Sequence, residues 1–179
     1  MKEIALHIMD IVQNSVSAGA TLVNIEVMEK ITEDQFILII SDNGRGMDKE
    51  VIKKVTDPFY TTRTTRNVGL GIPLLKHNAE QAGGCFNISS RRGEGTIVTA
   101  IFGHSHLDRP PKGDIAGVIS ILAGSNPEMD FVYRHVIDDT DYILDTREMK
   151  KLLDDVPLSN LSVITYIKEM IEENIKALE

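Results

Sequence analysis

Residues 36–40, Phe36-Ile37-Leu38-Ile39-Ile40, form an unbroken apolar run, and Asp42-Asn43-Gly44-Arg45-Gly46-Met47 follows almost at once. A short apolar run bounded by turn residues reads as a strand. A strand that ends in a carboxylate and then a Gly-x-Gly turn sets one fixed acceptor beside main chain that a ligand can approach, because glycine carries no Cβ and accepts positive φ. That combination suits the edge of a purine. The same residues would also make a plain turn, since Asn-Gly is a common one. The rest of the chain has to decide between the two.

Three further segments bear on the choice. Upstream, Ile4, Ile8, Ile11 and Val12 recur at helical spacing and predict an amphipathic helix over 3–17. His7, Asp10 and Asn14 stand three and four apart on an adjoining polar stripe, so their side chains can converge. The neutral oxygen of Asn14 could complete a Mg²⁺ shell of phosphates and waters, as suits a hard cation that keeps several waters. Asp10, one turn back, could orient or deprotonate a water. A solvated helix face would look the same. Downstream, Asp57-Pro58-Phe59-Tyr60-Thr61-Thr62-Arg63 leads through Thr64-Thr65-Arg66-Asn67-Val68 into Gly69-Leu70-Gly71-Ile72-Pro73. This is a polar, cationic loop emptying into a Gly-rich helix start, whose unpaired N–H groups and dipole favour phosphate oxygens. Pro73 fits a first helical turn. Arg63 and Arg66 could reach a γ-phosphate or stay solvated. Last, Gly93-Glu94-Gly95-Thr96 opens the strand 96–102 and reads equally well as a hairpin turn.

These four segments in this order resemble the Bergerat-fold ATP-binding domain shared by gyrase, the heat-shock chaperone, histidine kinases and the mismatch-repair ATPase. The resemblance covers residues 4–102 and implies ATP and Mg²⁺ as cofactors. It matches Asn14 to the family's Mg²⁺-binding asparagine and Asp42 to the aspartate that receives the adenine amino group. Gly44 and Gly46 match the first glycine pair, with Met47 on the apolar wall of the adenine pocket. The segment holding Phe59, Thr61 and Thr62 resembles the phenylalanine motif of histidine kinases. Gly69, Leu70 and Gly71 match the phosphate side of the lid, where Arg63 and Arg66 would also act, and Gly95-Thr96 matches the last glycine motif, whose threonine lies near the adenine. The short lid and the Gly-Leu-Gly start are closest to histidine kinases, whereas Asn14-Ser-Val-Ser-Ala-Gly-Ala20 is similar to the gyrase and mismatch-repair branch.

The departures concern mechanism. The family carries glutamate, or in kinases glutamate or asparagine, four residues before the asparagine. Here Asp10 stands there, one methylene shorter, and a general base must come within hydrogen-bond reach to contribute its roughly 10²–10⁴-fold. Ser17 replaces an aspartate common in the gyrase-like version, and Asn67-Val68 replace the usual Gly-Thr of kinases. Only thirteen residues precede Asn14, so no dimerisation hairpin with a phospho-accepting histidine is expected ahead of it. His7, on the nucleotide-binding helix itself, is expected to pack or cap.

The remaining pattern predicts strands 21–28 and 36–41 as a hairpin, a helix from Asp48 to about Val55, and a helix 70–82 ended by Gly83-Gly84. Strands 85–90 and 96–102 complete the first unit. The fold class is α+β, a two-layer α/β sandwich with helices on one face of a mixed, mostly antiparallel sheet. A histidine-kinase-like domain over 1–103, a linker over 104–112 and a small C-terminal α/β extension over 113–179 are the expected divisions. His104 and His106 are read as linker polarity, and Asp138, Asp139 and Asp141 as a solvated hairpin turn. The extension reads as a helix 114–123, strands 130–137 and 141–145, a helix capped by Asp145 or Thr146, and a terminal helix capped by Ser159 or Asn160. Leu161, Ile164, Ile167, Ile171, Ile175 and Leu178 stripe that last helix, and the stripe could pack on the first domain or serve a homodimer or partner.

With 19 basic and 27 acidic residues the net charge is −8, which argues against nucleic acid as a partner. The single Cys85 excludes an internal disulfide and suits a reducing compartment; following two glycines at a strand start, it is expected to be buried. No apolar run approaches a membrane span, and a cytoplasmic protein is expected. The functional expectation is an ATP- and Mg²⁺-binding, histidine-kinase-like protein of signal transduction that transfers or hydrolyses the γ-phosphate. Its acceptor would be another, unidentified protein. The alternative is a non-catalytic, ATP-gated binding module, anti-sigma-like or enzyme-associated, that switches a partner.

Overall fold

The computed structural model describes residues 3–57 and 70–179. The chain opens with helix α1, Ile4–Ser17, and then forms β1, Leu22–Lys30, and β2, Gln35–Asp42. Asp34, at φ 53°, closes the turn between the two strands after one turn of 3₁₀ helix. Helices α2, Lys49–Val55, and α3, Gly71–Gln81, follow, then strands β3, Cys85–Arg91, and β4, Gly95–Gly103. The remainder is α4, Ile115–Ser125, β5, Asp130–Ile137, β6, Thr140–Asp145, α5, Thr146–Leu153, and α6, Leu161–Leu178.

All six strands form one sheet in the order β3-β4-β2-β1-β5-β6. Every neighbouring pair is antiparallel except β1 and β5, which run parallel with Leu22 opposite Asp130. A parallel neighbour needs a crossover, and the connection from β4 to β5 supplies it through α4. The strands of the C-terminal extension therefore continue the sheet of the first unit and cover the edge that β1 would otherwise expose.

Alternation along β1 decides which face is covered. Val23, Ile25 and Val27 point into the core, while Leu22, Asn24, Glu26 and Met28 point out. Helices α1, α3, α4 and α6 lie on the core face, where Phe36 and Phe102 meet edge to face at 6.1 Å and both are fully buried. Complete burial of each such side chain contributes about 1.5–3 kcal/mol. Helix α4 is apolar nearly all round and packs against α1, α6 and β5. The architecture is a two-layer α+β sandwich with a small α/β extension.

Three side chains depart from the expectations. Cys85 is exposed, because β3 turns Phe86 and Ile88 inward and so turns Cys85 outward. His7 packs, as expected of it, but does so by leaving the polar stripe it was assigned to; it is fully buried and its Nε2 lies 2.9 Å from Asn78 Nδ2 of α3. Leu161 is 78% exposed, and Val163 takes its place in a buried stripe with Ile167 and Ile171. Of the two candidate caps for α6, Asn160 accepts a hydrogen bond from Ser162 N.

Candidate nucleotide site

A cavity of about 670 Å³ opens where α1, the end of β2 and the start of β4 meet. Its size falls in the range of small-molecule and cofactor pockets, roughly 300–1,000 Å³. Apolar walls come from Ile11, Ile40, Val51, Val55, Ile72 and Val98. Asn14, Asp42, Gly46, Met47 and Thr96, all singled out from the sequence, line the same space.

Asp42 is built in from two sides. Its Oδ1 accepts from Gly44 N at 2.8 Å, and its Oδ2 accepts from Ser15 Oγ at 2.7 Å. The first bond is local, an Asx-type turn of the Asp-x-Gly sequence. The second crosses from α1 to β2 and fixes the carboxylate relative to the helix that carries Asn14. Thr96 faces Asp42 across the β2–β4 ladder. Its Oγ1 lies 2.9 Å from Ser90 Oγ, which also accepts from Met47 N and donates to Gly95 O, both at 2.8 Å. One serine thus couples the turn after β2 to the β3–β4 hairpin.

Gly46 has φ 64°, and a Cβ there would run into the carbonyl of Arg91. The absence of a side chain is what lets the two turns close on one another, a contact completed by Gly93 N donating to Arg45 O at 2.8 Å. Gly71, the first residue of α3, is bare for a similar reason: a Cβ would stand 2.9 Å from Asp10 Cβ and 3.1 Å from Asp10 Oδ2. Asp10 is therefore held, half-buried, against the N-terminus of α3, and it does not line the cavity. Asn14, one turn on, is exposed at the cavity wall. Leu70 immediately precedes α3 and is half exposed.

Ser15, Ser90, Arg45 and Arg92 belong to the site without having been singled out from the sequence. Ser15 was legible in part, since it continues the buried stripe of α1 four residues after Ile11. Ser90 was not, because only the β3–β4 register brings it beside Thr96. Arg92 reaches Asp48 at 3.3 Å on the rim. Phe59, Thr61, Thr62, Arg63, Arg66 and Gly69 lie outside the described residues.

The donor set fits an adenine nucleotide. An oriented carboxylate acceptor and the exposed amide of Asn14 line one apolar slot, which Ile72 in the first turn of α3 also lines. A hard cation fits beside Asn14 if phosphates and waters complete its shell. Among the described residues no cluster of three or more His, Cys, Asp or Glu is placed to hold a metal without such help.

The family profile described as "Histidine kinase-, DNA gyrase B-, and HSP90-like ATPase" matches residues 2–105. A "Putative sensor protein" of Shewanella frigidimarina is 33% identical over 103 residues, covering 56% of this chain and 16% of that protein. "Sensor histidine kinase YvrG" of Bacillus subtilis is 30% identical over 93 residues, covering 50% of this chain and 16% of the relative. The chain thus spans less than a fifth of the length of these relatives. Among solved structures, the Aquifex aeolicus MutL ATPase domain complexed with ADP shares the fold at TM-score 0.52 and 16% identity, covering 86% of this chain and 69% of that one. The N-terminal domain of a DNA repair protein does so at TM-score 0.57 and 16% identity, over 81% and 53% of the two chains.

Proposed function

Since the chain belongs to the histidine kinase-, DNA gyrase B- and HSP90-like ATPase family, we propose that its cavity holds Mg²⁺-ATP and that the protein transfers or hydrolyses the γ-phosphate in a regulatory pathway. The observation that carries this reading is Asp42, clamped by Gly44 N and Ser15 Oγ in the wall of an apolar slot. A carboxylate that already accepts two hydrogen bonds keeps lone pairs for an exocyclic amine and cannot swing away from it. Ile40, Met47 and Val98 exclude water around a flat base, and Thr96 stands beside Asp42 to hydrogen-bond its edge.

Bound Mg²⁺-ATP supplies the transferable phosphoryl group. Asn14 offers its amide oxygen to the cation, and the first turn of α3 presents N–H groups to phosphate oxygens. Asp10, packed against Gly71 at that same helix start, positions the nucleophile, either water or a side chain of a partner protein. Phosphoryl transfer depends mainly on positioning and charge stabilisation, which these groups can provide. Arg63, Arg66, Phe59, Thr61, Thr62 and Gly69 complete the phosphate side in this proposal. The second reading, an ATP-gated binding module without chemistry, draws on Asp10 lying outside the cavity lining.

Purified protein incubated with Mg²⁺ and γ-labelled ATP at saturation tests both. Label released as phosphate or found on protein, and lost in Asp10→Ala while nucleotide binding persists, supports catalysis. Label that stays in bound ATP, with or without the substitution, selects the binding module. In calorimetric titration Asp42→Asn should lose adenine-nucleotide affinity by at least tenfold, about 1.4 kcal/mol, in a domain that still unfolds cooperatively. Undiminished affinity in that variant would remove Asp42 from the pocket.

A further inference from the structure

Ser90 is half-buried on β3 and stands behind the cavity wall without lining the cavity itself. Its hydroxyl meets three groups at hydrogen-bond distance: Gly95 O at 2.8 Å, Met47 N at 2.8 Å and Thr96 Oγ1 at 2.9 Å. A serine hydroxyl has one proton to donate and two lone pairs to accept with. Gly95 O only accepts, so the single proton of Ser90 goes there. Met47 N only donates, and it takes one lone pair. The second lone pair faces Thr96 Oγ1, and a contact this short between two hydroxyl oxygens needs a proton between them. That proton belongs to Thr96.

Thr96 lines the cavity and is the ladder partner of Asp42 across β2 and β4. With its proton held by Ser90, Thr96 Oγ1 has only lone pairs left for a ligand. Asp42 accepts on both oxygens already, from Gly44 N and from Ser15 Oγ, and a carboxylate has nothing to donate. Two acceptors therefore stand as neighbours in the wall. We propose that Ser90 is a positioning residue for base selection: by holding the Thr96 proton it keeps this part of the wall acceptor-only, so that the site takes a 6-amino purine and rejects a 6-oxo purine. The inference rests on the reading of the cavity as an adenine-nucleotide site, and it names a residue that sets the selectivity of that site without touching the base. An exocyclic amino group brings two N–H donors to Asp42 and Thr96, directly or through one water. A 6-oxo group sets a carbonyl oxygen against lone pairs. A threonine free to rotate would relieve that clash by turning its O–H toward the carbonyl, and Ser90 removes this freedom. A desolvated acceptor that meets no donor weakens binding on the order of ten- to a hundredfold.

Calorimetric titration of the full chain with Mg²⁺-ADP and Mg²⁺-IDP tests the proposal, since the two differ only at the purine edge and neither has a γ-phosphate to lose. The wild type should bind ADP about a hundredfold or more tightly than IDP. In Ser90→Ala that ratio should fall by about tenfold, because Thr96 can then donate to the 6-oxo group. Ser90→Thr keeps the hydroxyl and should keep the ratio. Thr96→Val has no hydroxyl to orient, so adding Ser90→Ala to it should leave the ratio where Thr96→Val alone put it. Where the alanine variant loses its cooperative melting, Ser90→Cys, whose thiol is a weak acceptor and opens no cavity, should shift the ratio in the same direction. Equal loss of ADP and IDP affinity in Ser90→Ala would make the serine purely structural and overturn the proposal while leaving the adenine reading intact. A ratio that still changes in the Thr96→Val background would overturn it as well, because Ser90 would then act by another route. A wild type that binds IDP as tightly as ADP overturns the selectivity, and one that binds neither removes the adenine-nucleotide reading itself.

Discussion

At the scale of single residues, His7 and Asp42 show how burial and hydrogen bonding choose what a polar group can do. Asn78 Nδ2 donates to His7 Nε2, which leaves the ring proton on Nδ1, and Nδ1 has no partner among the described residues. Burial disfavours the cation, and the pKa of His7 falls from its ordinary 6.5 to about 4. A base whose folded-state pKa lies below its unfolded value binds fewer protons when folded. Its stabilising effect is complete above pH 6.5 and is lost as the pH falls toward 4. His7→Gln keeps an acceptor for Asn78 and does not titrate. Urea unfolding between pH 7 and 4 should therefore show the wild type losing on the order of 2 kcal/mol more than the variant. Parallel curves would contradict a neutral, buried His7.

At the scale of elements, Asp114 joins two helices of the extension. Its Oδ1 accepts from Gly117 N at 2.8 Å as the N-cap of α4, and its Oδ2 pairs with Lys168 of α6 at 2.7 Å. The ion pair is largely exposed and contributes little, while loss of the cap costs about 1 kcal/mol. Asp114→Asn should therefore stay within about 0.5 kcal/mol of wild type and Asp114→Ala should lose about 1 kcal/mol, read from denaturant midpoints at unchanged slope. Equal losses would make the charge, not the cap, the source of stability. Sequence periodicity located most of these elements to within one or two residues. It misjudged Leu161, because the first turn of α6 offers two overlapping apolar stripes and only packing against α4 selects Val163.

At the scale of the molecule, Glu29 ties three distant segments together at the far end of β1. His135 Nε2 of β5 lies 2.8 Å away, Lys112 Nζ 3.0 Å and His104 Nε2 3.3 Å, with Tyr133 OH behind His135 at 2.7 Å from its Nδ1. Burial would raise the pKa of Glu29, but the hydrogen bonds from His135, Lys112 and His104 outweigh it and hold it at about 2, down from 4.5. A depressed carboxylate contributes stability that is present above 4.5 and lost as the pH falls from there through about 2. Breaking one member of a buried pair costs about 3–5 kcal/mol. Glu29→Gln should lower neutral-pH stability by about that amount and flatten the acid limb of the pH–stability curve. A neutral-pH stability within about 1 kcal/mol of wild type would mean that the cluster does not hold the extension to the sheet.

The chain's local patterns by themselves determined the elements and the turn chemistry around Asp42. A carboxylate two residues before Gly44, and a glycine at position 46 where φ is 64°, are requirements that act over a few residues and leave their mark there. Asn14 was legible from its helical spacing, while Met47 and Thr96 were singled out only through their resemblance to the family's glycine motifs, and all three line the cavity. Only the tertiary structure decided that Ser15 would clamp Asp42, that Ser90 would bridge two turns, and that β5 would lie parallel to β1. These depend on register and on which faces meet, and no spacing within one segment encodes a partner far away in the chain. The inward turn of His7 and the outward turn of Cys85 follow the same logic: a helix or strand states which residues share a face, and its neighbours decide which face is buried.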